Sequence, residues 1–262
     1  MVIIDKERCV GCGLCAGDCL ARAISMESGR AEITKNCFHC GHCVAICPAA
    51  AVRFEGARYD MADVEDAAGG FGIDGKTMLH AVKTRRSIRQ FSPACPARAE
   101  LETVLEAGRF SPTGSNAQNV SYIVFTEKTA ELNALAMREM RKLQESEEAF
   151  YAVFPPPMSL DRVNFDDDDF LFKGAPAVIL TVSPSAVNAA LAASAMELEA
   201  AALGLGALYV GFFVRLAEKV PALREYLGLA ERDQVVTCLA LGCPEVKYLR
   251  TVPRKKAHIQ WR

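Results

Sequence analysis

Cys9-Val-Gly-Cys12-Gly-Leu-Cys15-Ala-Gly-Asp-Cys19 stands near the start of the chain, and Cys37-Phe-His-Cys40-Gly-His-Cys43-Val-Ala-Ile-Cys47-Pro48 repeats its pattern. Both copies read C-x2-C-x2-C-x3-C. Each cysteine recurs 28 residues on (9 to 37, 12 to 40, 15 to 43, 19 to 47), and Ala23-Ile24 returns as Ala51-Val52. Three closely spaced thiolates can wrap three corners of a cuboidal iron–sulfur core in one tight loop; the fourth corner is met from elsewhere. Disulfide pairing would need an oxidising compartment, and Met1–Lys6 reads as the start of a strand, not as a charged and apolar leader. Zinc sites favour two separated cysteine pairs over runs of four with a proline after the last. His39 and His42 lie among the cysteines, but eight thiols already fill both ligand sets, so the histidines read as neighbours of the ligands.

The run is identified as the bacterial two-cluster type, in which the fourth cysteine of each copy serves the other cluster. That resemblance assigns Cys9, Cys12, Cys15 and Cys47 to one [4Fe–4S] cluster, and Cys37, Cys40, Cys43 and Cys19 to the second. A ferredoxin domain of this type accounts for residues 1–55. Short strands at Val2–Ile4 and Ala51–Phe54 are expected to pair, with a hairpin over Ile24–Ile33 turning at Ser28-Gly29.

The rest of the 262-residue chain needs a core of its own, and 51% hydrophobic residues can supply one. A net charge of −2 without a basic block argues against nucleic acid. Ala186–Val214 is apolar enough to raise the question of a membrane span, but Asn188, Glu197 and Glu199 interrupt it. Carboxylates in a bilayer are costly, so a buried helix is the better reading, in a soluble, cytoplasmic protein with no membrane partner. Cys95, Cys238 and Cys243 are scattered and read as small packing residues.

Residues 56–76 are polar, then glycine-rich, and read as a linker. Gly70-Phe-Gly-Ile-Asp-Gly75-Lys76-Thr77 fits both G-x4-G-K-[ST] and G-x-G-x-x-G, but a phosphate loop needs a buried strand before it. From residue 77 onwards helices and strands are expected at Met78–Arg85 (helix), Glu100–Phe110 (helix, with Leu101, Val104, Leu105 and Phe110 near one face), Val120–Phe125 (strand) and Thr129–Glu148 (one long helix). Residues 150–172 read as irregular, with Asp166–Asp169 a solvated acidic loop. Then follow a strand at Ala177–Val182, a buried helix at Ala186–Leu203, a strand or extended segment at Leu208–Phe213, a helix from Pro221, and a strand at Gln234–Leu241. The tail from Pro244 is cationic and reads as extended.

The decisive segment of this second part is Arg85-Arg-Ser-Ile-Arg-Gln-Phe91. Three arginines and a serine at a helix end can grip an anion, or can form only a cationic face. Arg-Arg-Ser-x-Arg-x-Phe resembles the opening signature of the nitroreductase family of flavoproteins. Further resemblances follow in that family's order: Ser111-Pro112-Thr-Gly-Ser115-Asn116-Ala-Gln118, Phe172-Lys-Gly174-Ala-Pro176, Gly204-Leu-Gly206 through Tyr209-Val210-Gly211-Phe212, Leu241-Gly-Cys-Pro, and Arg250-Thr-Val-Pro-Arg254-Lys255. The resemblance implies an α+β class: a small two-cluster domain at 1–55, the linker at 56–76, and a dimeric FMN domain at 77–262 with a mixed sheet flanked by helices. It implies that Arg85, Arg86, Ser87 and Arg89 hold the FMN phosphate and ribityl end. Pro112, Thr113, Ser115, Asn116 and Gln118, supplied by the partner subunit of a homodimer, would line the flavin. Val210 and Gly211 would offer backbone N–H groups to the ring edge, and Arg254 would return to the phosphate, with Lys256 a weaker candidate. Asn119-Val120 departs from the family's proline and aromatic after the glutamine, and Cys243 replaces its common tyrosine.

No acid–base pair stands out as catalytic, which a flavin enzyme does not require, since the cofactor carries the electron chemistry. The reading is an FMN-dependent oxidoreductase with two [4Fe–4S] clusters. It would reduce a small acceptor such as a nitroaromatic, a quinone or an activated alkene, with ferredoxin or NAD(P)H as donor. The alternatives are a non-catalytic electron-transfer module between redox partners, a dehalogenase-like or flavin-consuming member of the same scaffold, and a P-loop protein carrying a ferredoxin domain.

Overall fold

The computed structural model describes residues 1–94 and 96–262. Cys95, one of the three scattered cysteines, lies outside the described residues. The chain divides into two compact units, Met1–Ile73 with Gly114–Ala117, and Asp74–Thr113 with Gln118–Arg262.

The first unit follows its duplication. Strand β1 (Val2–Ile4) is followed by helix α1 (Leu14–Asp18), the hairpin β2 (Ile24–Glu27) and β3 (Arg30–Ile33), helix α2 (His42–Ala45) and strand β4 (Val52–Phe54). The expected pairings form: Val2 lies opposite Phe54 and Ile24 opposite Ile33, both antiparallel. The two helices start alike, each from a glycine in the left-handed region, Gly13 at φ 75° and Gly41 at φ 78°. Val2, Ile24, Ala31 and Val52 share one small core with the cysteines of both copies.

The second unit opens with α3 (Gly75–Thr84), three residues earlier than the apolar pattern suggested. The signal passed over is Asp74. Its carboxylate accepts from the backbone N–H groups of Lys76 and Thr77 and from the Thr77 hydroxyl, an N-cap that starts the helix. The same contacts close the phosphate-loop reading: the first-turn amides already hold an anion, and a single-turn 3-10 helix at Met61–Asp63, not a strand, stands upstream. The Thr77 hydroxyl, then the two N–H groups, hold the Asp74 carboxyl below its ordinary range. Its contribution to α3 is therefore complete above about pH 4 and is lost as pH falls through the lowered value. Asp74→Ala is expected to speed hydrogen exchange at Lys76 and Thr77 while leaving the amides of Lys83 and Thr84 unchanged; equal exchange in both proteins would deny the cap.

Helix α4 (Arg98–Arg109), strand β5 (Ser121–Phe125), α5 (Thr129–Leu143) and α6 (Glu147–Val153) follow. The expected single helix over 129–148 is two, because the Ser146 hydroxyl accepts from Ala149 N and restarts the helix at a new angle. Then come β6 (Ala177–Val182), α7 (Ala186–Ala202), β7 (Gly206–Tyr209), α8 (Gly211–Lys219), α9 (Pro221–Tyr226) and β8 (Val235–Gly242). The expected extended segment thus stops at Val210, and Gly211–Phe213 is already helix.

The strands order β5-β6-β8-β7, all neighbours antiparallel, and Ser87 adds a parallel bridge to Ala207 of β7. Every residue of β6 is buried, since helices cover both faces of the sheet. Alternation decides which side chain meets which layer. Ala177 and Ile179 of β6, with Leu239 and Leu241 of β8, pack on Leu101 and Val104 of α4 and Ala193, Met196 and Ala200 of α7. Val178, Leu180, Cys238 and Ala240 face the opposite layer, built by Leu132, Met137 and Met140 of α5 and Phe213 and Leu216 of α8. Phe110, expected near the buried face of α4, is 60% exposed beyond the helix end.

Beyond the end of α6 at Val153, the stretch to 172 is irregular as expected, with a single 3-10 turn at Leu160–Arg162, but it is packed. Phe150, Phe154, Leu171 and Phe172 are all but inaccessible and belong to the larger core. The acidic run is held in place: Arg141 pairs with Asp168 and donates to Phe165 O, Asn133 donates to Asp168 O, and Lys173 pairs with Asp167. It is a tethered turn. Burial raises Asp169, with the Asp167 charge adding to it. Among the described residues no helix is long and apolar enough to cross a membrane.

Candidate functional site

In the first unit, the thiols divide between core and surface. Cys15 and Cys43 point into the shared core, whereas Cys12 and Cys40 are exposed at the loop tips. None of the eight is in a disulfide. Backbone N–H groups already aim at the sulfurs: Ala31 at Cys9 (3.5 Å), Ala23 at Cys19 (3.3 Å), His39 at Cys37 (3.3 Å) and Ala51 at Cys47 (3.3 Å). The Ala23 and Ala51 bonds are equivalents in the duplication. Such donors stabilise thiolate sulfur and tune cluster potentials. Burial, then the neighbouring Cys37 and Cys40, push the Cys43 thiol up to about 11, and burial also raises Cys15. The Ala31 and Gly11 N–H groups lower Cys9. The inner thiols therefore need a strong local positive charge to ionise, which a bound metal would supply. Among the described residues no three His, Cys, Asp or Glu side chains gather around a point fit for a single ion. The donors present are thiols, with backbone amides on four of their sulfurs.

In the second unit, the segment Arg85–Ser92 lies along β7 and the end of β8. Ile88 N donates to Ala207 O at 3.0 Å, Ser92 N to Cys243 O at 2.9 Å, and Glu245 N to Gln90 O at 3.0 Å. Gly206 permits this approach, since a Cβ there would stand 2.5 Å from the Ile88 side chain. Ile88 and Phe91 are buried, while Arg85, Arg86 and Ser87 are half-buried and Arg89 is exposed. The arginines differ in their commitments. Arg85 Nη1 donates to Glu197 Oε1 of α7 at 2.5 Å. Arg86 lies 5.9 Å from the Tyr248 ring centroid, and its buried Nε has no hydrogen-bond partner. A buried guanidinium N–H without an acceptor is an orphan donor, free to take an anionic ligand oxygen.

The other end of β7 opens on a cavity of about 380 Å³ lined by Tyr209, Val210, Gly211, Arg215 and Thr237 among others. From Ala207, beside Ser87, to Gly211 is four residues, roughly 13 Å at strand rise. The arginine segment and the cavity are thus set apart by one short strand. The two expected edge donors differ: Val210 N–H is spent on Cys238 O at 2.8 Å. Gly211 is the first residue of α8, where an N–H has no partner within the helix, so it is the donor left for a ligand. Burial of its hydroxyl, then the Glu197 carboxylate, push the Tyr209 phenol up to about 12, against the pull of Arg85.

The loop expected to line the flavin is divided. Thr113 and Gln118 join through Gln118 N and Thr113 Oγ1 at 3.0 Å, and line a smaller cavity of about 90 Å³ with Ser111, Tyr122 and Asn188. Ser115, Asn116 and Gln118 all have positive φ, a costly backbone for non-glycine residues. Ser115 and Asn116 group with the first unit, where Asn116 Nδ2 donates to His39 O at 2.7 Å. The tail over 251–262 is exposed throughout, and Arg254 is not brought to Arg85–Arg89 within one chain. Glu197 is the residue sequence reasoning missed. Its signal in the sequence is a carboxylate interrupting an alanine-rich helix.

Comparison with known proteins agrees with this architecture. A protein of Archaeoglobus fulgidus, named as a candidate NADH dehydrogenase/NAD(P)H nitroreductase, is 28% identical over 168 residues, 64% of this chain and 85% of the relative. A nitroreductase of Bacteroides fragilis solved with bound FMN superposes with a TM-score of 0.56 at 21% identity, covering 70% of this chain and 96% of that one. One from Desulfitobacterium hafniense, also with bound FMN, gives 0.56 at 22% identity, covering 70% and 97%. Residues 1–48 match the 4Fe–4S dicluster domain. Residues 82–243, more than half of the chain, match the nitroreductase family, and the chain belongs to that family.

Proposed function

We propose that this chain is an FMN-dependent oxidoreductase that passes electrons between two [4Fe–4S] clusters, held by residues 1–55, and FMN, held by residues 77–262, with 56–76 joining them. Its product is a reduced small acceptor of the nitroaromatic, quinone or activated-alkene type. The observation that carries this reading is the buried, unpartnered Arg86 Nε in a segment anchored along β7, whose far end opens on the 380 Å³ cavity. When bound, the clusters supply one-electron transfer, and FMN couples one- to two-electron chemistry.

The chain's own residues do the holding. Arg86, Ser87 and Arg89 supply the phosphate site, with Arg85 beside them. Gly211 N–H meets the ring edge, and Val210 shapes the wall below it. Pro112, Thr113, Ser115, Asn116 and Gln118 serve a flavin of the partner subunit in a homodimer, and Arg254 reaches the phosphate only in that assembly. Cys12 and Cys40, at exposed loop tips, leave the clusters open to a protein donor such as reduced ferredoxin.

Purified anaerobically, the chain should carry about eight irons and show flavin absorption. Reduction by NADH, NADPH and reduced ferredoxin then identifies the donor. An iron-loaded chain without flavin absorption, unable to take up added FMN, would overturn the reading. Arg86→Ala is expected to lower flavin retention on the order of tenfold without changing iron content; unchanged flavin content would make Arg86 a mere surface cation.

A further inference from the structure

Glu197 belongs to none of the motifs that carried the functional reading. It sits on α7, beside Met196 and Ala200 in the apolar layer, with 9% of its side chain exposed. A carboxylate in such surroundings is retained only with a partner that compensates its lost hydration. That partner is Arg85, through the 2.5 Å bond from Nη1 to Oε1. Arg85 caps the C-terminal end of α3 with extended backbone, so the chain delivers it to the site but does not fix its long side chain. The Glu197 bond does. A guanidinium carries five N–H donors in a rigid fork. Pinning one nitrogen orients the rest, and 23% of the Arg85 side chain remains exposed to meet a ligand.

We propose that Glu197 is a positioning residue for the flavin phosphate: from within α7 it fixes the Arg85 fork so that its remaining N–H groups face the phosphate, without itself touching the flavin. This rests on the FMN reading above. The Arg85–Glu197 pair is formally neutral, so the net positive charge at the site comes from Arg86 and Arg89, and Arg85 contributes directed hydrogen bonds. Geometry at Glu197 therefore matters more than its charge.

The test compares FMN with riboflavin, which shares the ring and ribityl chain but lacks the phosphate. The full chain with its clusters, freed of flavin, is titrated with each by fluorescence quenching. Glu197→Ala is expected to raise the FMN dissociation constant about tenfold and to leave that of riboflavin within about twofold. Glu197→Gln keeps an acceptor for Nη1 and should recover most of the FMN affinity. Arg85→Ala and the double variant Arg85→Ala/Glu197→Ala should bind FMN equally, because Glu197 acts only through Arg85. If Glu197→Ala does not fold, Glu197→Asp retains the charge but withdraws the acceptor by one methylene, and should weaken FMN several-fold with riboflavin unchanged. Unchanged or tighter FMN binding in Glu197→Ala or Glu197→Asp, or equal losses for both flavins, would overturn the proposal. A wild-type chain that binds neither flavin would instead overturn the FMN reading itself.

Discussion

Cys19→Ala should leave the chain with about four irons where the wild type holds about eight, and the cluster lost should be the one bound by Cys37, Cys40 and Cys43. Cys19 is nearer in sequence to Cys15, so the expectation is not trivial. It follows from the two-cluster pattern, and the structure makes the exchange possible: one core contains cysteines of both copies, with Cys15 and Cys43 buried together in it. Cys19 and Cys47 are equivalent, each accepting an N–H four residues on, from Ala23 and Ala51. Pairwise variants decide the matter. With exchanged ligands, Cys19→Ala/Cys37→Ala damages one cluster twice and retains about four irons, whereas Cys19→Ala/Cys9→Ala damages both and retains nearly none. If each run kept its own four cysteines, these two results would be reversed. Iron and labile-sulfide analysis of the anaerobically purified variants reads the outcome directly.

Much of this was legible because the signals were of covalent spacing and short period. The 28-residue duplication was legible, and the flanking strands β1 and β4 pair across it as the pattern suggested. The buried strand β6 was legible because both faces of the sheet are covered, which makes it a nearly continuous apolar run; α7 was legible as a long alanine-rich helix in spite of Asn188, Glu197 and Glu199. Misreadings arose where one polar atom outweighs a pattern. Asp74 starts α3, and Ser146 divides α5 from α6; each acts through a hydrogen bond that hydrophobic periodicity does not register. The site was legible as an arginine cluster, but not in its division of labour. Three arginines in five residues look alike in sequence. Only the fold shows that Arg85 is clamped by Glu197, 112 residues away, while Arg86 keeps a donor uncommitted. Backbone commitments were equally hidden: Val210 and Gly211 are neighbours, yet the sheet spends the N–H of one and the helix start frees the other.

The stretch 150–172 is where a stability measurement discriminates most sharply between a cover and a structural element. Phe154→Ala is expected to destabilise the second unit by about 3–5 kcal/mol. Phe154 is fully inaccessible and stands 5.1 Å from Phe150 and 5.2 Å from Phe212, both in tilted contact. Phe212 in turn meets Phe170 edge-on at 5.4 Å. The four rings tie both ends of the stretch to the first turn of α8, beside Gly211 at the cavity. Removing the central ring deletes a buried side chain and leaves a void that rigid neighbours cannot fill, and it forfeits two ring contacts of about 0.5–1.5 kcal/mol each. The one tryptophan, Trp261, is 90% exposed in the tail, so far-UV circular dichroism is the better probe of the urea transition. The midpoint should fall markedly while the iron content of the folded protein stays the same. Flavin retention should fall with it, because Gly211 loses the packing that fixes its N–H. A change below about 1 kcal/mol, at the low end of what buried truncations cost, would show that the stretch is not an integral part of the core.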